Sequence, residues 1–217
     1  AVFGYLLGCQ FNSLFMGILF SFIFGSICGA IFSLLTVTFK ANQNVTGLTL
    51  TTFGVALFFF VGRSLTAAGK WPLMRNFLNV DRGFKTAIEI PILSKIPILG
   101  KVLFSHNILV YLGVIIAVIC EIYLKKSKLG LKLRAVGENP AAADSLGINV
   151  TLLQYINIMI GSGIMGIGGY YMGLNLGGNF EGSTSWVNGY GWIAVALVIF
   201  ANWSPGKAVI GTVLFGL

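Results

Sequence analysis

The sequence predicts an all-α fold, a polytopic bundle of transmembrane helices that carries a short helix on a loop between two spans. Of the 217 residues, 56% are hydrophobic and only 9% are charged, whereas a soluble domain carries roughly 25% charged residues. Asp, Glu, Lys and Arg are absent from residues 1–39, 41–62, 102–120, 145–180 and 182–206. Because a charge at the bilayer centre costs about 2.5–3.5 kcal/mol, such gaps are typical of spanning segments. We therefore expect a multi-pass protein of the cell membrane.

The apolar runs give the spans in chain order. Residues 1–11 read as the tail of one span, and full spans are predicted over 14–39, 45–61, 107–124 and 151–177. The first and last apolar runs are shorter than the roughly 20 residues that a span needs. We therefore interpret the chain as one transmembrane domain over residues 1–217, a fragment truncated at both ends.

Two segments between or after these spans have a different composition. Residues 66–105 form a long loop, predicted to be extracytoplasmic, in which Pro91 and Pro97 forbid a helix and favour extended chain. Residues 190–201 are apolar but too short to cross alone, and a tight turn follows them at Asn202. One interpretation of the two apolar runs around this turn is a pair of re-entrant half-helices, which is tolerated where the backbone is buried in protein or faces water.

Small residues recur at helical spacing in two of the spans. In the first full span they follow a small-xxx-small pattern, and in the span over 151–177 they are unusually dense; both patterns allow close approach of helix backbones. The residues predicted to pack helices are Gly25, Gly29, Gly161, Gly163, Gly166, Gly169 and Gly173. The run that starts at Gly161 also matches GxGxxG, but it lies mid-span and lacks the strand–helix context of a dinucleotide site.

Polar side chains within the apolar runs are the candidates for lining a solute path. Amides and hydroxyls in a membrane helix either bond to neighbouring helices or face a wet cavity. For any single Thr the packing alternative is favoured, whereas a cluster favours a path. The predicted path residues are Asn44, Thr46, Thr49, Asn157 and Ser162.

Residues 125–150 form a polar loop with dense positive charge. Five basic residues fall within ten positions next to the end of a span: Lys125, Lys126, Lys128, Lys132 and Arg134. With these five included, the totals of Lys and Arg on the two sides of the membrane are equal, so it is the density of this cluster that decides the predicted orientation and places the loop in the cytoplasm.

A short helix is predicted within this loop over residues 140–146. Asn139 suits the N-cap because its side-chain oxygen can accept from a free backbone N–H, and Pro140 suits the first helical position. Three alanines follow, which are the best helix formers, and Gly147 suits the left-handed residue that ends a helix. A helix of two turns is marginal alone in water, so we expect it to dock.

The composition of this helix indicates what it could dock onto. A small alanine face permits close approach by a soluble partner, and Glu138 and Asp144 could meet basic partner residues. The alternative is a surface loop whose alanines only fill space. The predicted interface consists of Glu138, Asn139, Pro140, Ala141, Ala142, Ala143, Asp144, Leu146 and Gly147.

Several other functions are excluded or disfavoured by the residues present. No GxxxxGK[ST] loop occurs, His106 is the single histidine, and no Ser/His/Asp set or Cys/His cluster is found. Catalysis and a bound metal or cofactor are therefore not expected. The net charge of +8 arises in loops between spans, where membrane topology explains it, and no nucleic-acid partner is predicted.

The loop motif resembles the cytoplasmic loop of ABC-importer permeases of the simple-sugar and nucleoside branch. The residues that carry the resemblance are LGLKLRAVGENPAAAD from Leu129 and LGINV from Leu146. The resemblance continues at Gly168-Gly-Tyr-Tyr and Trp203-Ser-Pro, and upstream at Lys40-Ala-Asn-Gln-Asn-Val-Thr-Gly, where the nucleoside permeases are most similar.

This resemblance implies a transmembrane subunit of an ATP-driven importer for a small polar solute, a nucleoside or a simple sugar. The short helix would be a coupling helix on a separate ATPase subunit, which would bind the ATP. A second permease subunit, identical or paralogous, and an extracellular substrate-binding protein would complete the assembly. The alternatives are the same machinery for branched-chain amino acids, or a partner-free carrier or channel. The lack of a mid-membrane charge in the uncharged stretches disfavours ion coupling.

Overall fold

The computed structural model of the chain describes residues 1–69, 88–89, 105–175, 187 and 189–216. Its helices confirm the predicted all-α class. They are α1 (Val2–Phe11), α2 (Leu14–Ser33), a π-helical segment (Leu34–Thr38), α3 (Gln43–Ala67), α4 (Ile108–Lys126), α5 (Lys128–Glu138), α6 (Pro140–Ser145), α7 (Val150–Asn175), α8 (Tyr190–Phe200) and α9 (Pro205–Gly216).

Four of the described helices are long and apolar enough to cross a membrane, judged by length and composition. They are Leu14–Thr38, which joins α2 to the π-helical segment, Gln43–Ala67, Ile108–Lys126 and Val150–Asn175. These match the four full spans that the sequence predicts. The chain is therefore a multi-pass membrane protein, and α1, α8 and α9 add shorter apolar helices.

The chain divides into two compact units, and the first comprises residues 1–81 and 147–188. Within it α7 packs along α2, and α1 packs against α2. A Cβ added at Gly25 of α2 would lie 2.5 Å from the carbonyl oxygen of Ser162 and 3.1 Å from the Cα of Gly163. The backbones of α2 and α7 are therefore in direct contact, which only small residues permit.

The π-helical segment ends the first full span. Phe39 donates its backbone N–H to the carbonyl oxygen of Leu34 at 3.1 Å, and Lys40 takes a left-handed φ of 51°. Asn42 then caps α3, because its Oδ1 accepts from the backbone N–H of Asn44 at 3.0 Å. The chain thus leaves one span and begins the next within a few residues.

The second unit comprises residues 82–146 and 189–217. In this unit α4 packs against α5 and α9, α5 packs against α6, and α8 packs against α9. Two strands, β1 (Ile88–Glu89) and β2 (Ser105–His106), form an antiparallel pair. The predicted loop otherwise lies outside the described residues from position 70 to position 104. The segment with two prolines, which was expected to be extended, is in this part.

The main correction concerns the polar loop over residues 125–150. The sequence predicts one short helix there, whereas the structure has two, because α5 (Lys128–Glu138) precedes α6. The cap of α5 explains its start: the Oγ of Ser127 accepts from the backbone N–H of Gly130 at 2.9 Å. The loop is therefore a hairpin of two helices, α5 and α6, rather than a loop with one helix of about two turns.

The C-terminal region is also a helical hairpin. α8 ends at Phe200, and the turn that follows contains two successive left-handed residues, Asn202 with φ 51° and Trp203 with φ 58°. α9 begins at Pro205, which needs no N–H at that position. Two short apolar helices joined by a tight turn agree with the predicted pair of half-helices, and their entry into the membrane stays a prediction.

Candidate functional site

The short helix α6 forms at the predicted place and with the predicted cap. The Oδ1 of Asn139 accepts from the backbone N–H of Ala142 at 3.1 Å, and Pro140 occupies the first helical position. The helix ends before Leu146, and Gly147 takes a left-handed φ of 75°. Local sequence signals therefore determine both ends of this helix.

The surface of α6 is small and almost entirely exposed. Ala143 is its buried side chain, at 2% exposure, and it lies on the helix that packs against α5. Ala141, Ala142 and Asp144 are exposed, and Leu146 at the end is 78% exposed. A partner could approach this face closely, with one carboxylate and one large apolar side chain to bind.

Helix α5 attaches α6 to the end of α4. Gly130 is buried against the last turn of α4, where an added Cβ would lie 2.8 Å from both the Cα and the carbonyl oxygen of Leu124. Arg134 donates from Nη2 to that same carbonyl oxygen at 2.7 Å. Val136 of α5 is 2% exposed. The helical hairpin is thus fixed to a membrane span by backbone contact and by a charged side chain.

A cleft of about 610 Å³ lies beside this attachment. The sides of α4 and α5 contribute Leu124, Leu133 and Arg134, and the α8–α9 turn contributes Trp203. Trp203 is 74% exposed. Sequence reasoning placed Arg134 in the basic cluster and Trp203 beside a tight turn, but it missed that both line one cleft, because nothing in the sequence indicates that the α8–α9 turn reaches the α4–α5 junction.

The predicted path residues on α3 make hydrogen bonds within their own helix. Thr46 and Thr49 donate from Oγ1 to the carbonyl oxygens of Asn42 and Val45, both at 2.9 Å. Thr46 is buried and Thr49 is exposed, as is Asn44 at the start of the helix. Hydroxyls satisfied in this way need neither a wet cavity nor a neighbouring helix.

The two predicted path residues on α7 lie in different surroundings. Asn157 donates from Nδ2 to the carbonyl oxygen of Leu153 at 2.7 Å and is half-buried. Ser162 lies in the α2–α7 contact, where its Cβ and Oγ would each be 2.7 Å from a Cβ added at Gly29. The structure does not bring the path residues of α3 and α7 together into one described cluster.

Five of the seven glycines predicted to pack helices lie close to another segment of the first unit. Gly163 faces the Oγ of Ser26, which would lie 2.6 Å from an added Cβ, and Gly169 faces Ala1 at 2.9 Å. The others with close surroundings are Gly25, Gly29 and Gly166, and Gly173 is buried.

Gly161 does not fit the packing prediction within the described residues. A Cβ added there meets no atom within 4 Å, and the same is true of Gly168, seven positions further along α7. Seven residues are about two helical turns, so both glycines lie on one side of α7, away from α2.

The described side chains do not form a metal centre. No group of three or more His, Cys, Asp or Glu residues lies close enough to hold a metal ion in the described ranges. What the arrangement offers chemically is an exposed, capped helix attached to a membrane span.

The sequence as a whole matches one family of known proteins. Residues 1–217 match the family described as branched-chain amino acid transport system, permease component. No solved structure is significantly similar to the chain.

Three curated relatives are similar over most of the chain. The nucleoside ABC transporter permease protein NupC of Lactococcus lactis is 35% identical over 91% of the chain. TsgC13 of Haloferax volcanii, assigned provisionally as a glucose ABC transporter permease protein, is 34% identical over 89%. The guanosine ABC transporter permease protein NupQ of Bacillus subtilis is 33% identical over 87%. The matched part spans 61%, 57% and 58% of these relatives, about three fifths of their length.

Proposed function

We propose that this chain, which belongs to the family of permease components of branched-chain amino acid transport systems, is part of the membrane permease subunit of an ATP-driven ABC importer. The observation that carries the proposal is α6. This helix is capped at Asn139, exposes Ala141, Ala142 and Asp144, and is held to the end of a span through α5.

In the proposed mechanism α6 is the coupling helix. A separate ATPase subunit binds and hydrolyses ATP, so this chain is not an enzyme and needs no cofactor of its own. When the ATPase subunits close, α6 moves with them, and α5 transmits the displacement to the end of α4 through Arg134 and Gly130. The spans then alternate between inward-open and outward-open arrangements.

The other members of the proposed assembly follow from the same mechanism. A second permease subunit, identical or paralogous, would complete the pathway, and an extracellular binding protein would deliver the solute. We propose Asn44, Thr46, Thr49, Asn157 and Ser162 as path residues; of these, Ser162 has the weakest support because it lies in a helix contact.

A nucleoside is the proposed solute, since two of the three relatives described above are named for a nucleoside or guanosine. A simple sugar is the nearest alternative, and a branched-chain amino acid is the next. Uptake of labelled uridine into cells that express the complete transporter, with unlabelled guanosine, glucose or leucine as competitor, distinguishes these. Guanosine should compete, and competition by leucine alone would contradict the proposed solute.

ATP dependence tests the proposed machine as a whole. Depletion of ATP should abolish uptake, whereas collapse of the proton and sodium gradients with ATP held constant should not. The opposite pattern would support a partner-free carrier, which usually places a charged group at mid-membrane to couple an ion.

A further inference from the structure

Glu121 of α4 makes a set of contacts that the proposed function does not use. Its Oε2 accepts from the backbone N–H of Gly206 at 3.0 Å, and its carboxylate accepts from the Oγ of Ser204 at 3.4 Å. It also pairs with Lys125, one turn further along α4. The Glu121 side chain is 21% exposed, whereas that of Lys125 is 58% exposed.

These contacts place a carboxylate from α4 at the start of α9. The first backbone N–H groups of a helix have no helical partner, and the helix dipole favours an anion there. A serine before the first turn usually accepts such an N–H itself; here Ser204 instead donates its hydroxyl to Glu121, and Glu121 accepts from Gly206. A residue distant in sequence therefore caps α9.

The turn before α9 is held on both sides, and Glu121 provides the contact on one of them. Asn202 and Trp203 both hold left-handed backbone conformations, which non-glycine residues keep only where the surrounding structure imposes them. The backbone N–H of Trp203 bonds to the carbonyl oxygen of Val198 at 3.1 Å, so the turn is fixed on the α8 side. Glu121 fixes it on the α9 side.

Glu121 also lies next to the point where the α5–α6 hairpin attaches to α4. Leu124, three residues later, accepts the hydrogen bond from Arg134 and contacts Gly130. One short stretch of α4 therefore contacts both helices: the carbonyl oxygen of Leu124 holds α5, and the carboxylate of Glu121 holds α9.

We propose that Glu121 is a positioning residue that makes the α8–α9 hairpin follow the end of α4 during transport. The proposal rests on the proposed function, because the end of α4 moves only if α6 is driven by a partner ATPase. Without Glu121, α4 and α9 would still pack. The hydrogen bonds from Ser204 and Gly206, which transmit displacement of α4 to the α8–α9 hairpin, would be lost.

The test uses the complete transporter, with its ATPase subunits, in proteoliposomes, where uptake and ATP hydrolysis are measured together. Glu121→Ala should lower the solute transported per ATP by about tenfold, the factor that corresponds to the loss of one hydrogen bond to a charged group, while ATP hydrolysis stays within about twofold. Glu121→Gln keeps an acceptor for Gly206 and should restore most of the ratio. Lys126→Ala, a change at an exposed neighbouring charge, is the matched control and should match the wild type.

Amide hydrogen exchange at Gly206 supplies a second readout, and if Glu121→Ala does not accumulate in the membrane, Glu121→Gln alone is compared with the wild type. Exchange should accelerate in Glu121→Ala and less in Glu121→Gln. A wild-type transport ratio in Glu121→Ala, or a Gln variant as defective as the Ala variant, would overturn the proposal. Co-purification of the ATPase stays normal in every Glu121 variant, so failure here differs from failure of the docking role of α6.

Discussion

The guanidinium of Arg134 donates a hydrogen bond from Nη2 to the backbone carbonyl oxygen of Leu124, and the two atoms are 2.7 Å apart. Leu124 lies in the last turn of α4, where carbonyl oxygens have no helical partner and where positive charge is favoured. The bond therefore satisfies the end of a span and holds α5 against it. Together with the contact of Gly130, this bond joins α5, and with it α6, to the end of α4.

Arg134→Ala should loosen α5 without unfolding the spans. An exposed hydrogen bond contributes about 1 kcal/mol, so amides in the first turns of α5 should exchange about fivefold faster. Mass-spectrometric hydrogen exchange on the full-length permease measures this directly. Arg134→Lys should restore little, because an ammonium lacks the planar guanidinium geometry.

Lys132→Ala is the matched control for that experiment, since Lys132 is an exposed cation of the same helix. Its exchange should equal that of the wild type. Equal protection of α5 in Arg134→Ala and in the wild type would show that the Arg134 bond does not hold α5 against α4.

Asn139→Ala should melt α6, because loss of an N-cap costs about 1 kcal/mol and a helix of 6 residues has little stability to lose. The expected results are loss of exchange protection at Ala143 and reduced recovery of the partner ATPase. Asn139→Asp keeps an oxygen acceptor at the cap and should preserve both. An Ala variant with unchanged protection would mean that packing on α5, and not the cap, maintains α6.

How far the sequence predicts this region depends on the strength of local signals. α6 was predictable because Asn139, Pro140 and the alanines after it each favour one position of a helix. α5 was not, because Gly130 and Gly137 are poor helix formers, and the reason for a glycine at position 130 is visible only once Gly130 lies against Leu124. Tertiary contact, rather than propensity, stabilises that helix.

The same limit applies to the glycines of the spans. Spacing predicts that α2 and α7 contain close-packing surfaces, but it does not say which helix each glycine meets. Gly25 of α2 lies against α7 and Gly163 of α7 lies against α2, whereas Gly161 faces open space within the described chain. The threonines of α3 are a related case, because Thr49 bonds to its own helix and its polarity alone does not mark a path.

A pair of substitutions separates these two kinds of glycine. Gly25→Ala forces a Cβ against Ser162 and Gly163, and such overpacking costs about 1–3 kcal/mol. The unfolding midpoint of the purified full-length permease should fall by about 5 °C. Gly161→Ala has room for its Cβ and gains helix propensity, so its midpoint should not fall. A lower midpoint for Gly161→Ala than for Gly25→Ala would contradict the described α2–α7 contact.

Recovery of the proposed ATPase partner with the purified permease is the direct measure of whether α6 is its docking site. Ala142→Trp places a large side chain on the exposed face of α6, and Ala135→Trp places the same side chain on the exposed surface of α5 as the matched control. With equal amounts of permease in the membrane, Ala142→Trp should lower ATPase recovery and solute uptake by about tenfold, a free-energy change of about 1.4 kcal/mol, while Ala135→Trp should retain both. Wild-type recovery and uptake in Ala142→Trp would contradict docking of an ATPase subunit on α6.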